Sequence, residues 1–76
     1  MTARDWQKEY EKWGSILVKN TDNKEAYSKV LQAWVQKNYL ERVKYKLLQD
    51  KPYSYFVEVG KICVENIKNH PEAYSF

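Results

Sequence analysis

The reactive vocabulary of this chain is short: one cysteine, Cys63, and one histidine, His70. A thiol nucleophile needs a base within hydrogen-bond reach. These two lie seven positions apart, a rise of about 10 Å along a helix, so they form a dyad only if the chain unwinds after Cys63. A structural zinc takes four Cys or His ligands, and the chain has one of each. Glu58 and Glu65 alternate with Lys61 and Lys68 as on a solvated helix face. Gly14 and Gly60 stand alone, unlike the clustered glycines that cradle phosphate. No catalytic residue, metal or cofactor is expected, and an enzyme would have to assemble its site across subunits. Cys63 falls between Val59 and Ile67 as a small core residue, and His70 as a helix-terminal or surface residue.

Aromatic rings are the second chemical resource. Trp6, Tyr10, Trp13, Tyr27 and Trp34 have the chemistry to stack on a base or ligand, but their helical spacing assigns them to the core. Tyr39, Tyr45, Tyr53 and Tyr55 differ, because they lie among Lys37, Arg42, Lys44, Lys46 and Lys51. Rigid amphipathic rings mixed with long cations suit an interface. The same mixture also arises when lysine stems simply lie over exposed rings.

The elements that position these groups follow from the breakers. Asn20, Thr21, Asp22 and Asn23 form one break, with Asp22 and Glu25 spaced as a capping box. Asp50, Lys51 and Pro52 form the next, Asp50 as cap and Pro52 in the first turn. Asn69, His70 and Pro71 form the third, leaving a frayed or docked tail at 70–76. Three helices are therefore expected, over about 3–19, 23–49 and 52–69. Thr2 and Asp5 mark the first start. Helix 1 has one narrow stripe of Ala3, Trp6, Tyr10, Trp13 and Leu17. Helix 3 is apolar over a broad arc, from Val57 and Val64 through Phe56, Val59, Gly60, Cys63 and Ile67 to Tyr55 and Ile62. Such an arc calls for cover on two sides, with Gly60 allowing close approach.

In helix 2 the apolar face moves. Tyr27, Val30, Leu31 and Trp34 lie on one side, and Val35, Tyr39, Val43 and Leu47 form a ladder on the other. The fold is thus a single all-α domain over residues 1–76, a three-helix bundle. It becomes four short helices if the middle one breaks near Gln36, Lys37 and Asn38. An unbroken rod outreaches its neighbours and leaves apolar surface uncovered.

Composition sets the outer bounds. With 43% apolar and 16% aromatic residues in 76 positions, the chain is one small folded domain and not a solvated tail. One cysteine forms no internal disulfide, so a reducing, cytoplasmic setting is expected. No charged-then-apolar leader and no apolar run longer than three residues occurs, so neither a signal peptide nor a membrane span is expected. The net charge of +3 is concentrated in residues 37–51, five basic against two acidic.

These features predict a non-enzymatic protein-protein interaction module, a regulator or inhibitor. It would self-associate as a homodimer through the second half of helix 2 or dock on an acidic partner surface. The expected contact residues are Val35, Lys37, Tyr39, Leu40, Arg42, Val43, Lys44, Lys46 and Leu47. The runner-up is a nucleic-acid binder using the basic stretch at 37–51. Eleven Lys against two Arg weigh against it, because the guanidinium fork favours bidentate phosphate and guanine contacts.

Overall fold

A computed structural model describes residues 1–45 and 51–76, with only the backbone of 43–45. Helices α1 (Ala3–Lys19), α2 (Lys24–Tyr45) and α3 (Tyr53–Asn69) run up, down and up, and a single 3-10 turn (Pro71–Ala73) follows. The fold is the expected all-α three-helix bundle.

Local chemistry sets most of the ends. Thr2 and Asp5 close a capping box on α1: the Asp5 amide donates to Thr2 Oγ1 at 3.2 Å and the Thr2 amide donates to Asp5 Oδ2 at 3.0 Å. Those bonds from Thr2, backbone first, hold the Asp5 carboxyl below its usual range. At Asn20 the chain leaves α1, its amide donating to the Ile16 carbonyl. The cap of α2 is Asn23, not Asp22 as expected: Asn23 Oδ1 accepts from the Ala26 amide at 3.0 Å. Pro52 stands just outside α3 in extended backbone instead of inside its first turn. Asp50, the expected cap, lies outside the described residues, as does the expected stretch of helix 2 beyond Tyr45.

Helix α2 does not break at Gln36, Lys37 and Asn38, because each polar side chain finds a partner without leaving the helix. Gln36 Nε2 donates to the Tyr53 hydroxyl on α3 at 2.7 Å. Lys37 Nζ lies 5.0 Å from the centre of the Tyr10 ring on α1. Asn38 Nδ2 donates to the Trp34 carbonyl one turn back at 2.8 Å.

The core is aliphatic apart from Phe56. Leu17, Ala26, Val30, Val64 and Ile67 form a fully buried cluster, with Tyr10, Trp13, Ile16, Val18, Tyr27, Leu31 and Tyr74 packed round it half-buried. Of the aromatics assigned to the core by spacing, Trp6, Tyr10, Trp13, Tyr27 and Trp34 all remain partly exposed. They form a half-buried collar round the aliphatic cluster, each large ring keeping an edge in water. Gly60 sits where α3 meets α2: a Cβ there would stand 2.9 Å from the Trp34 ring, 3.0 Å from Leu31 and 3.1 Å from Val35. Gly14 does the same for the tail, which is docked: a Cβ would meet the Phe76 ring at 2.6 Å. Phe76 lies edge-on to Tyr10 and stacks with Tyr74.

The two glycines predict opposite outcomes. Gly60→Ala presses on three packed side chains of α2 and should lose about 1–3 kcal/mol of stability in urea denaturation. Gly14→Ala meets only a terminal ring that can swing away, and a helix-propensity gain of about 1 kcal/mol offsets the lost contact. Its urea midpoint should stay near wild type while protease cuts the tail faster. A Gly60→Ala protein as stable as wild type would refute the close approach of α2 and α3.

Candidate functional site

Of the expected docking face on α2, the described residues pack in part within the chain. Val35 is 3% exposed, packed at Gly60. Tyr39 meets Tyr53 and Phe56 edge-on at 5.3 and 5.7 Å, and the Arg42 guanidinium lies 4.3 Å from its ring centre. Leu40 is half-buried and borders a hollow with Met1, Thr2, Ala3 and Arg4. The side chains of Val43 and Lys44, and the residues Lys46 and Leu47, lie outside the described residues. Val35 is therefore a core residue. Its ladder, read from sequence as unpartnered, faces α3 at Val35 and Tyr39.

The basic stretch is likewise tied to rings. Lys37 lies over Tyr10, Arg42 over Tyr39, and Lys51 over Tyr55 at 5.2 Å. Of these three, Lys37 and Arg42 are half-buried and Lys51 is exposed. A hollow of about 530 Å³ opens between the α1–α2 turn and the end of α3, bordered by Asp22, Lys24, Tyr27, Glu65 and Lys68. There the Tyr27 hydroxyl donates to Glu65 Oε1 at 2.9 Å, joining α2 to α3. Burial first, and then that carboxylate, push the Tyr27 phenol above its ordinary pKa.

The exposed apolar surface lies on α3 instead. Phe56, Gly60, Val64 and Ile67 are buried against α2, while Val59 and Cys63 are half-buried. Ile62 is 63% and Tyr55 37% exposed. The broad arc of this helix is covered by α2 and, more lightly, by α1 and the 3-10 turn, as its pattern predicted, and only its edge at Tyr55 and Ile62 is left open. Tyr55, Val59 and Ile62, spaced four and three apart, make one outward stripe.

Sequence reasoning also missed a groove between α1 and α2, of about 290 Å³, bordered by Trp6, Glu9, Lys12, Trp13, Lys29 and Gln32. The signal was available: Trp6 and Trp13 are seven apart, aligned on one helix face. Spacing alone does not tell a buried stripe from a half-covered one.

Cys63 and His70 stay apart, since α3 is continuous from Tyr53 to Asn69 and His70 is exposed beyond it. Burial raises the Cys63 thiol above its ordinary pKa. It also raises the Tyr10 phenol, with smaller contributions from Tyr74 and Cys63. Among the described residues no three His, Cys, Asp or Glu side chains gather as a metal site, and no helix is long and apolar enough to cross a membrane. No known protein family, curated protein or solved structure matches the chain.

A thiol raised by burial reacts slowly at neutral pH. Alkylation of Cys63 by iodoacetamide should reach half its limiting rate above pH of about 8.5, the free-cysteine value, and urea should bring that midpoint down. A native midpoint near or below pH 7 would mark an activated nucleophile and contradict the assignment.

Proposed function

We propose that this chain is a non-enzymatic interaction module that acts as a homodimer, with the outer stripe of α3 as the contact. The supporting observation is Ile62, a large aliphatic side chain 63% exposed in line with Tyr55 and Val59. The favoured occupant is a second copy. A domain of this length hides only about 60% of its unfolded surface, and a chain without disulfide or metal often completes its core by pairing. An antiparallel pair about a two-fold axis between Glu58 and Val59 sets Tyr55 of one copy level with Ile62 of the other. Isologous pairing of this kind is the commonest form of soluble assembly.

The acidic partner and the nucleic-acid reading draw less support. Both need the cations of 37–51 turned outward, whereas Lys37 and Arg42 are half-buried over rings.

Sedimentation velocity tests the dimer. Wild type should associate with a Kd in the range of about 1–100 µM, and Ile62→Asp should sediment as a monomer with unchanged far-UV circular dichroism. Because Ile62 is exposed, that substitution leaves the core intact. A wild type that stays monomeric at the highest soluble concentration, or an Ile62→Asp protein that pairs as well as wild type, would overturn the proposal.

A further inference from the structure

The geometry points to the α1–α2 groove as a binding site for a nucleoside monophosphate, with the base against the indoles and the phosphate between Lys12 and Lys29. The groove lies on α1 and α2 and includes no residue of the α3 stripe. It is therefore independent of the dimer contact.

The wall facing α1's own turns is pre-set. Trp13 Nε1 donates to Glu9 Oε2 at 3.1 Å, and Lys12 Nζ lies 5.3 Å from the Trp13 ring centre. These two contacts orient the Trp13 ring, engage one oxygen of the Glu9 carboxylate, and set one ammonium at the groove edge. The rest is uncommitted. The Trp6 indole N–H, the Lys29 ammonium and the Gln32 amide have no protein partner among the described residues, and Lys29 and Gln32 are exposed.

Donors outnumber acceptors here: two ammonium groups, the Trp6 indole and the Gln32 amide nitrogen face the Gln32 carbonyl oxygen and a Glu9 carboxylate that Trp13 engages through one oxygen. Donors in that excess fit a ligand rich in acceptors, and the charge balance gives its sign: two ammonium groups against one carboxylate favour an anion. A phosphate monoester carries about −1.5 to −2 charges at neutral pH, which matches two lysines better than the single charge of a carboxylate. Two half-buried indoles seven apart supply the other half of the recognition, since planar bases stack on aromatic rings without regard to sequence. The volume of about 290 Å³ admits one nucleotide and not a folded nucleic acid. Gln32 completes the groove as an amide able to bond a base edge.

The test is titration of the full-length chain with AMP, adenosine, inorganic phosphate and a short oligo-dA lacking terminal phosphates, read by tryptophan fluorescence and by calorimetry. AMP should bind saturably with a Kd of about 1 mM or tighter. Adenosine and phosphate alone should each bind at least about tenfold more weakly, because each supplies half of the contact. Lys29→Glu should weaken AMP by about tenfold or more while leaving circular dichroism, urea midpoint and sedimentation unchanged. Trp6→Phe keeps a ring for folding and should reduce the quench. Three results would overturn the inference: no saturable AMP signal, equal binding of AMP and adenosine, or AMP binding unaffected by Lys29→Glu. Tighter binding of oligo-dA than of AMP would also overturn it, by naming a strand in place of a free nucleotide. Since sedimentation reads the dimer separately, loss of one proposal leaves the other standing.

Discussion

The bundle depends on how closely α3 lies against α2 at Gly60. Where a side chain would begin, the Trp34 ring, Leu31 and Val35 already stand. This contact buries Val35 and Phe56 at one end of α2, while Val30, Val64 and Ile67 close the other end with Leu17 from α1. Alanines at 26 and 33 are fully buried on α2 as well, and small residues at a crossing let helices approach at the short end of the usual 8–10 Å range. Helix α2 is therefore the central element. α1 and α3 each pack mainly on it and touch one another less, with the tail's Tyr74 packed on the shared core and Phe76 laid over α1.

That centrality explains what was legible in the sequence and what was not. The start of α1 was legible because a capping box is a local signal, carried entirely by Thr2 and Asp5. The continuity of α2 was not, because it is decided by Tyr53 and Tyr10, residues far away in the chain. A polar run reads as a break until its partners are known. The apolar faces were misallocated for a related reason. Two apolar faces on one helix mean either a helix covered twice or a helix covered once with surface to spare. The pattern is the same in both cases. All three helices of this bundle touch one another, but α2 takes the most cover, from α1 on one side and α3 on the other. The surplus assigned to Val35 and Tyr39 is taken up by α3, and the exposed surface appears at Tyr55 and Ile62.

The basic residues show the same coupling between charge and packing. Lys12, Lys37, Arg42 and Lys51 lie between 4.3 and 5.3 Å from a ring centre, so the half-buried rings of Trp13, Tyr10 and Tyr39 and the exposed ring of Tyr55 double as cation seats. Each such contact is worth about 0.5–1 kcal/mol where exposed and more where solvent is excluded. The larger effect is on geometry. A lysine held over a tyrosine covers apolar ring surface with its stem, and a cation with a fixed place is less free to follow a phosphate backbone. A charge count along the sequence registers none of this, because it treats every lysine as an outward-facing point.

The two surfaces left over are chemically distinct, and that limits what each can hold. The α3 stripe offers Val59 and Ile62, with no donor or acceptor of their own, beside the single hydroxyl of Tyr55. Its gain comes from removing apolar area from water, at roughly 25 cal/mol per Å², so a second apolar helix face suits it and a small polar ligand does not. The α1–α2 groove offers unpaired N–H groups and ammonium charges beside indoles. An apolar helix laid there would strip water from donors and return no acceptors, at a cost of about 1–3 kcal/mol for each donor left unsatisfied. Occupants of the two sites are therefore not interchangeable. The same arithmetic that favours an apolar face on α3 disfavours one in the groove.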